Sequence, residues 1–134
     1  MDKKVIALWI FKLVLAGMYL MMAIPKFGGD EITVHIFTTL GVEPWGRYFT
    51  GVMELLVFVL ILIPATAVYG MILSLGVLSG AILSHLTVIG TVVQNDTGTV
   101  NDEGGIFMTA LIMLALTLFN LYLNRRSLPF IGNK

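Results

Sequence analysis

Four stretches of the chain, roughly Val5–Ile24, Gly46–Ile63, Ala67–Val93 and Gly105–Leu123, are long and apolar enough to cross a lipid bilayer. A hydrocarbon core of ~30 Å takes about 20 mostly apolar residues in a helix, and a helix satisfies all its backbone polar groups within one segment. This feature removes most of the folds open to 134 residues. The composition points the same way. Only 12% of the residues are charged, against about 25% in a soluble domain, too few to clothe a surface facing water. The expected fold is all-α: an integral membrane four-helix bundle running up-down-up-down, in a single transmembrane domain over residues 1–134.

Each break between spans has a physical cause. Pro25 is expected to end the first span and Pro64 the second, and the Pro64-Ala65-Thr66 connection is short enough to force an antiparallel neighbour. The third fades into QNDTGTVNDEGG, a polar, glycine-containing segment that cannot stay in hydrocarbon. Lys3 and Lys4 resemble the start of a secretory signal. The apolar run is too long for one, however, Lys12 interrupts it and no small-residue cleavage site follows, so a retained helix is expected.

Basic residues near the span ends give the direction. Lys3, Lys4, Arg125, Arg126 and Lys134 lie on the side of the termini. The opposite loops hold Lys26 and Arg47 against Asp30, Glu31, Glu43, Asp96, Asp102 and Glu103. The excess places both termini in the cytoplasm, in a multi-pass protein of the cell's inner membrane. In the first loop Ile32, Ile36 and Leu40 recur every four residues, with Asp30 at an N-cap position and Gly41 at a stop. The pattern predicts a short interfacial helix between spans one and two, with Trp45 and Tyr48 as headgroup-level anchors and His35 solvated.

Ionisable residues inside spans point to function more than to packing. Lys12, Tyr19 and Lys26 recur at intervals of seven, and a drift of only about 20° per heptad puts them on one stripe. At ~1.5 Å per residue, Tyr19, Glu54 and His85 fall within ~12 Å of the outer boundary on three different spans. Lys26 stands just above, with a stem long enough either to snorkel up to water or to reach down toward Glu54. These four residues form the candidate ligand-binding cluster. Lys12 and Asn120 form a second, inner layer. Each has an ordinary alternative: Glu54 protonated and bonded to Thr50, His85 and Tyr19 as packing residues, Lys12 snorkelling, Asn120 as interhelical glue. Gly76, Gly80 and Ser84, four apart, are expected to form a close helix-packing stripe. The eight methionines read as core and lipid-facing filler.

Several chemistries are excluded. With no cysteine the chain has no disulfide, thiolate metal site or thiol redox step of its own. His85 is alone in the spans, so a bis-histidine haem is not expected, and no nucleotide-binding or metalloprotease motif is present. No metal site is expected. A net charge of zero argues against a nucleic-acid partner.

AIPKF at the end of span one, LGVEPWGRYFTGVMELL leading into span two and SGAILSHL in span three together resemble the DoxX-like family of small four-span membrane proteins. The matching positions are Ala23, Lys26, Leu40-Gly41, Pro44, Gly51, Glu54 and His85, with Ala23 where glycine is more usual. The resemblance covers nearly the whole chain. The family takes its name from a subunit associated with thiosulfate:quinone oxidoreductase, and some relatives are linked to membrane complexes that handle thiol or oxidative stress. It implies an accessory subunit of a membrane oxidoreductase, with quinone as the possible ligand and protein partners or further copies of the chain around it. The alternatives are a non-enzymatic scaffold or chaperone, and a small oligomeric proton-coupled transporter with Glu54 and His85 as its relay.

Overall fold

The computed structural model describes residues 2–94, 98 and 101–125. Asp96, Arg126 and Lys134, which entered the charge count above, lie outside the described residues. The described chain is helical: α1 (Lys3–Gly28), α2 (Glu31–Thr39), α3 (Trp45–Leu62), α4 (Ala67–Ser84), a π-helical turn (His85–Ile89) that continues α4, and α5 (Gly105–Leu123). α1, α3, α4 with its π turn, and α5 are each long and apolar enough to cross a membrane. The chain is a multi-pass membrane protein built as a helical bundle.

The bundle closes as a ring in which α1 touches α3 and α5, and α4 touches the same two. Between lipid-immersed helices the hydrophobic effect gives little, so association rests on close packing and interhelical hydrogen bonds. α1 turns one stripe inward, Lys12, Leu15, Ala16, Tyr19, Ala23 and Lys26, so the three heptad-spaced polar residues do share a buried face. Opposite it α3 presents Gly51, Glu54, Val57 and Ile61. Side chains turned outward, such as Leu13, Met21, Ile24 and Val59, are exposed and apolar, as a lipid-facing surface requires.

Two boundaries differ from expectation. Pro25 does not end the first span: α1 runs on to Gly28 and stops at Gly29, whose left-handed backbone (φ 73°) caps it through its N–H to the Pro25 carbonyl. A proline this near a C-terminus removes only the bond to the carbonyl one turn earlier, and the helix tolerates it. The third span does not reach Val93. The π turn ends at Gly90 (φ 91°), which returns its N–H to the His85 carbonyl at 2.8 Å.

Other features follow the sequence. α2 forms between Asp30 and the left-handed Gly41, although the Asp30 side chain makes no capping bond. The 64–66 turn is tied by Thr66, whose hydroxyl donates to the Leu60 carbonyl at 2.9 Å. α5 begins against Asp102, whose carboxylate accepts from the N–H groups of Val93, Gly104 and Ile106 and so satisfies a helix N-terminus.

Candidate functional site

A cavity of about 680 Å³ opens between α3 and α4 beneath α2. Its walls are mostly apolar: Ile32, Ile36, Phe37 and Leu40 from α2, Phe49 and Met53 from α3, Val77 and Ala81 from α4. The lining includes Trp45 and Phe49, 66% and 60% exposed on the bundle surface, so the space communicates with the side that meets lipid. Size and lining suit a lipophilic small molecule, with a few polar groups to fix its orientation.

Three of the four residues of the predicted cluster stand in this wall. Lys26 and Glu54 form an ion pair, Nζ to Oε1 at 2.9 Å, with both side chains buried. The path to this pair can be traced through the sequence. Gly51 lies one turn before Glu54 on the same face of α3. A Cβ added there would meet the Phe27 ring at 2.9 Å and the Lys26 Cβ at 3.3 Å. Glycine therefore lets the end of α1 approach α3 closely enough for the lysine to meet the acid. The Lys26 ammonium also turns back to donate to the Met22 carbonyl at 3.1 Å, and its approach to Glu54 lacks hydrogen-bond angles, so Oε1 has a charge partner but no hydrogen bond.

Arg47, which in the sequence marks only the charge of a loop, completes the arrangement. It is buried, its Nε donates to both oxygens of Glu43 (2.8 and 3.0 Å), and its Nη1 donates to the Lys26 carbonyl. A guanidinium on a carbonyl in the last turn of α1 neutralises an orphan acceptor and the negative end of the helix dipole. Arg47 thereby holds Lys26 in place from behind. The available signal was Glu43 and Arg47 four residues apart across the start of α3.

His85 is buried at the first residue of the π turn and also lines the cavity. Its Nδ1 lies 2.9 Å from the Gly90 carbonyl, and its ring packs against Phe107 of α5 at 5.6 Å. A carbonyl only accepts, so Nδ1 carries the hydrogen and, in the neutral imidazole, Nε2 is an acceptor. Single π turns of this kind are frequent at functional sites. Thr50 does not bond Glu54. Its hydroxyl donates to the Gly46 carbonyl at 2.8 Å.

Tyr19 departs from the expected cluster. It is wholly buried, its hydroxyl bonds Ser74 Oγ, and Ser74 Oγ bonds Thr117 Oγ1 at 2.8 Å, joining α1, α4 and α5 in one chain outside the cavity wall. Its partner Ser74 is eleven residues from His85, ~16 Å along the axis. α1 extends four residues past Ile24, which sets Tyr19 deeper than the Pro25 boundary implied.

The inner pair also separates. Asn120 is buried and donates to the carbonyls of Phe11 (3.3 Å) and Leu116 (2.8 Å), gluing α5 to α1, while its Oδ1 has no partner. Lys12 lies with its ammonium 5.0 Å above the Trp9 ring.

Gly76, Gly80 and Ser84 do not form a packing stripe within the chain. A Cβ added at Gly76 or Gly80 meets nothing within 4 Å, and all three residues line the cavity. The close α3–α4 approach is made instead by Gly70, where an added Cβ would lie 2.9 Å from Leu60 Cβ and 3.0 Å from the Ile61 nitrogen.

Among the described residues no three His, Asp or Glu side chains are grouped as a metal site would need. The fold and site define a small membrane bundle with a largely apolar cavity that carries a few buried polar groups in its wall. Comparison with family models, with curated proteins and with solved structures finds no match to the chain.

Proposed function

We propose that the chain is an accessory subunit of a membrane oxidoreductase complex, holding a quinone or a similar lipophilic molecule in the cavity between α3 and α4. The observation that carries this reading is the placement of a buried Lys26–Glu54 ion pair and of His85 in the wall of an otherwise apolar space open toward lipid. Buried charge in a membrane is costly and is kept where it serves a ligand or a proton path. Here the carboxylate and imidazole would exchange protons with the ligand head, and the ammonium would balance negative charge developing on its oxygens. The redox cofactor would reside on a partner polypeptide. The resemblance to the DoxX-like family, through Lys26, Gly51, Glu54 and His85, supports the same reading, and the basic residues near the span ends support an inner-membrane location with both termini cytoplasmic.

The test is purification in native lipid followed by mass spectrometry of the small molecules retained. The wild-type protein is expected to keep a quinone-class lipophile that is lost in Glu54→Gln and His85→Ala. Equal content in all three proteins refutes the site.

A second reading, a membrane scaffold, is favoured by the open faces of Gly76 and Gly80, which a partner helix could approach closely. It predicts that Gly80→Leu abolishes a protein complex while Glu54→Gln only lowers stability.

A further inference from the structure

The polar groups that face the cavity are unequal in kind. Hydrogen-bond acceptors are grouped at His85, Glu54 and Thr50, and the free donors are confined to Lys26 and Trp45. Nδ1 of His85 gives its hydrogen to the Gly90 carbonyl, and in the neutral ring Nε2 then keeps a lone pair, with no hydrogen bond among the described residues. Glu54, as the carboxylate of an ion pair, can only accept; its Oε1 is closed off against the Lys26 ammonium at 2.9 Å, which leaves the other oxygen to a ligand. Thr50 commits its proton to the Gly46 carbonyl and offers lone pairs alone. The Lys26 ammonium donates to the Met22 carbonyl and faces Glu54 without hydrogen-bond angles, which leaves two of its three N–H groups uncommitted. In the same wall the Trp45 indole N–H is a donor and the Asp30 carboxylate an acceptor, and the hydroxyls of Thr33 and Ser84 can turn either way.

A buried acceptor left without a donor keeps its full desolvation penalty, and a site of this polarity discriminates sharply between ligands that differ only in their hydrogens. Resting on the lipophile-binding reading above, we propose that the cavity selects a ligand whose head donates hydrogen bonds, a lipophilic diol or hydroquinone, over the dicarbonyl form of the same ring. The head hydroxyls give their hydrogens to His85 Nε2 and to Glu54, and the apolar remainder lies along Phe49, Met53 and the open faces of Gly76 and Gly80. No electron transfer is involved in this step, which is a binding preference alone.

The wild-type protein in nanodiscs, kept anaerobic, is titrated by calorimetry with three ligands sharing one alkylated ring: the benzoquinone, the hydroquinone and the hydroquinone dimethyl ether. The ether keeps both oxygens but has no hydrogen to give. The hydroquinone is expected to bind about tenfold tighter than either of the others, the factor one unmet buried hydrogen bond supplies. His85→Phe, which retains a ring against Phe107, is expected to remove most of that preference. A quinone or ether that binds as tightly as the hydroquinone overturns the inference and leaves the lipophile site standing. Failure of all three ligands to bind overturns the site itself.

Discussion

The two ends of the α3–α4 pair make opposite use of glycine. Near the 64–66 turn, Gly70 brings the two backbones so close that an added Cβ would meet the Ile61 nitrogen at 3.0 Å. Further along the same helix, Gly76 and Gly80 face empty space and line the cavity. Polar groups divide in the same way. In the closed half Tyr19, Ser74 and Thr117 satisfy one another in a chain across three helices. In the hollow half Glu54 and His85 keep unused acceptor capacity. The three-helix hydroxyl chain closes one half of the pair, and the hollow half keeps acceptors that face open space, although Asn120 Oδ1 also lacks a partner where α5 meets α1.

The largest expected effect lies at the ion pair. Lys26→Met leaves Glu54 buried without its partner and should lower stability by about 3–5 kcal/mol, while the double variant Lys26→Met/Glu54→Leu should recover most of that loss. Denaturation in detergent measures both, and a neutral Lys26→Met would show that the pair is not held as described. Next comes the contrast between glycines. Gly70→Leu should cost about 1–3 kcal/mol through overpacking against Ile61, whereas Gly80→Leu should fold normally and lose the ligand by filling its space. The reverse order of stabilities would break the comparison. Tyr19→Phe removes one buried hydrogen bond while Ser74 keeps Thr117, and should cost about 1 kcal/mol with ligand content unchanged. Smallest of all, Gly80→Ala should stay within about 0.5 kcal/mol of wild type.

Much of the architecture was legible because the bilayer imposes length and apolarity. The four spans, the turn at Pro64, the α2 pattern ending at Gly41 and the start of α5 all follow from the chain. So does the shared stripe of Lys12, Tyr19 and Lys26, a matter of angle around one helix. What failed depended on relations between helices. Pro25 looks like a stop in the sequence, yet its cost depends on its distance from the helix end, which Gly29 sets. Gly76, Gly80 and Ser84 have a spacing that permits close packing, but spacing does not tell whether a neighbour arrives. The π turn that aims His85 at Gly90 has no local signature in HLTVI. Arg47 was hidden by its position next to a loop, where a basic residue was read as a sign of topology.

The contrast between the closed and hollow halves can be read with the two tryptophans the chain carries. Trp45 lines the cavity, whereas Trp9 lies beside Lys12 at the other end of the bundle. In single-tryptophan proteins, Trp9→Phe and Trp45→Phe, a lipophilic quinone is titrated into nanodiscs while indole fluorescence is followed. The account predicts saturable quenching of Trp45, abolished by Gly80→Leu, and only linear, partition-limited quenching of Trp9. Linear quenching of both tryptophans, indifferent to Gly80→Leu, would contradict it.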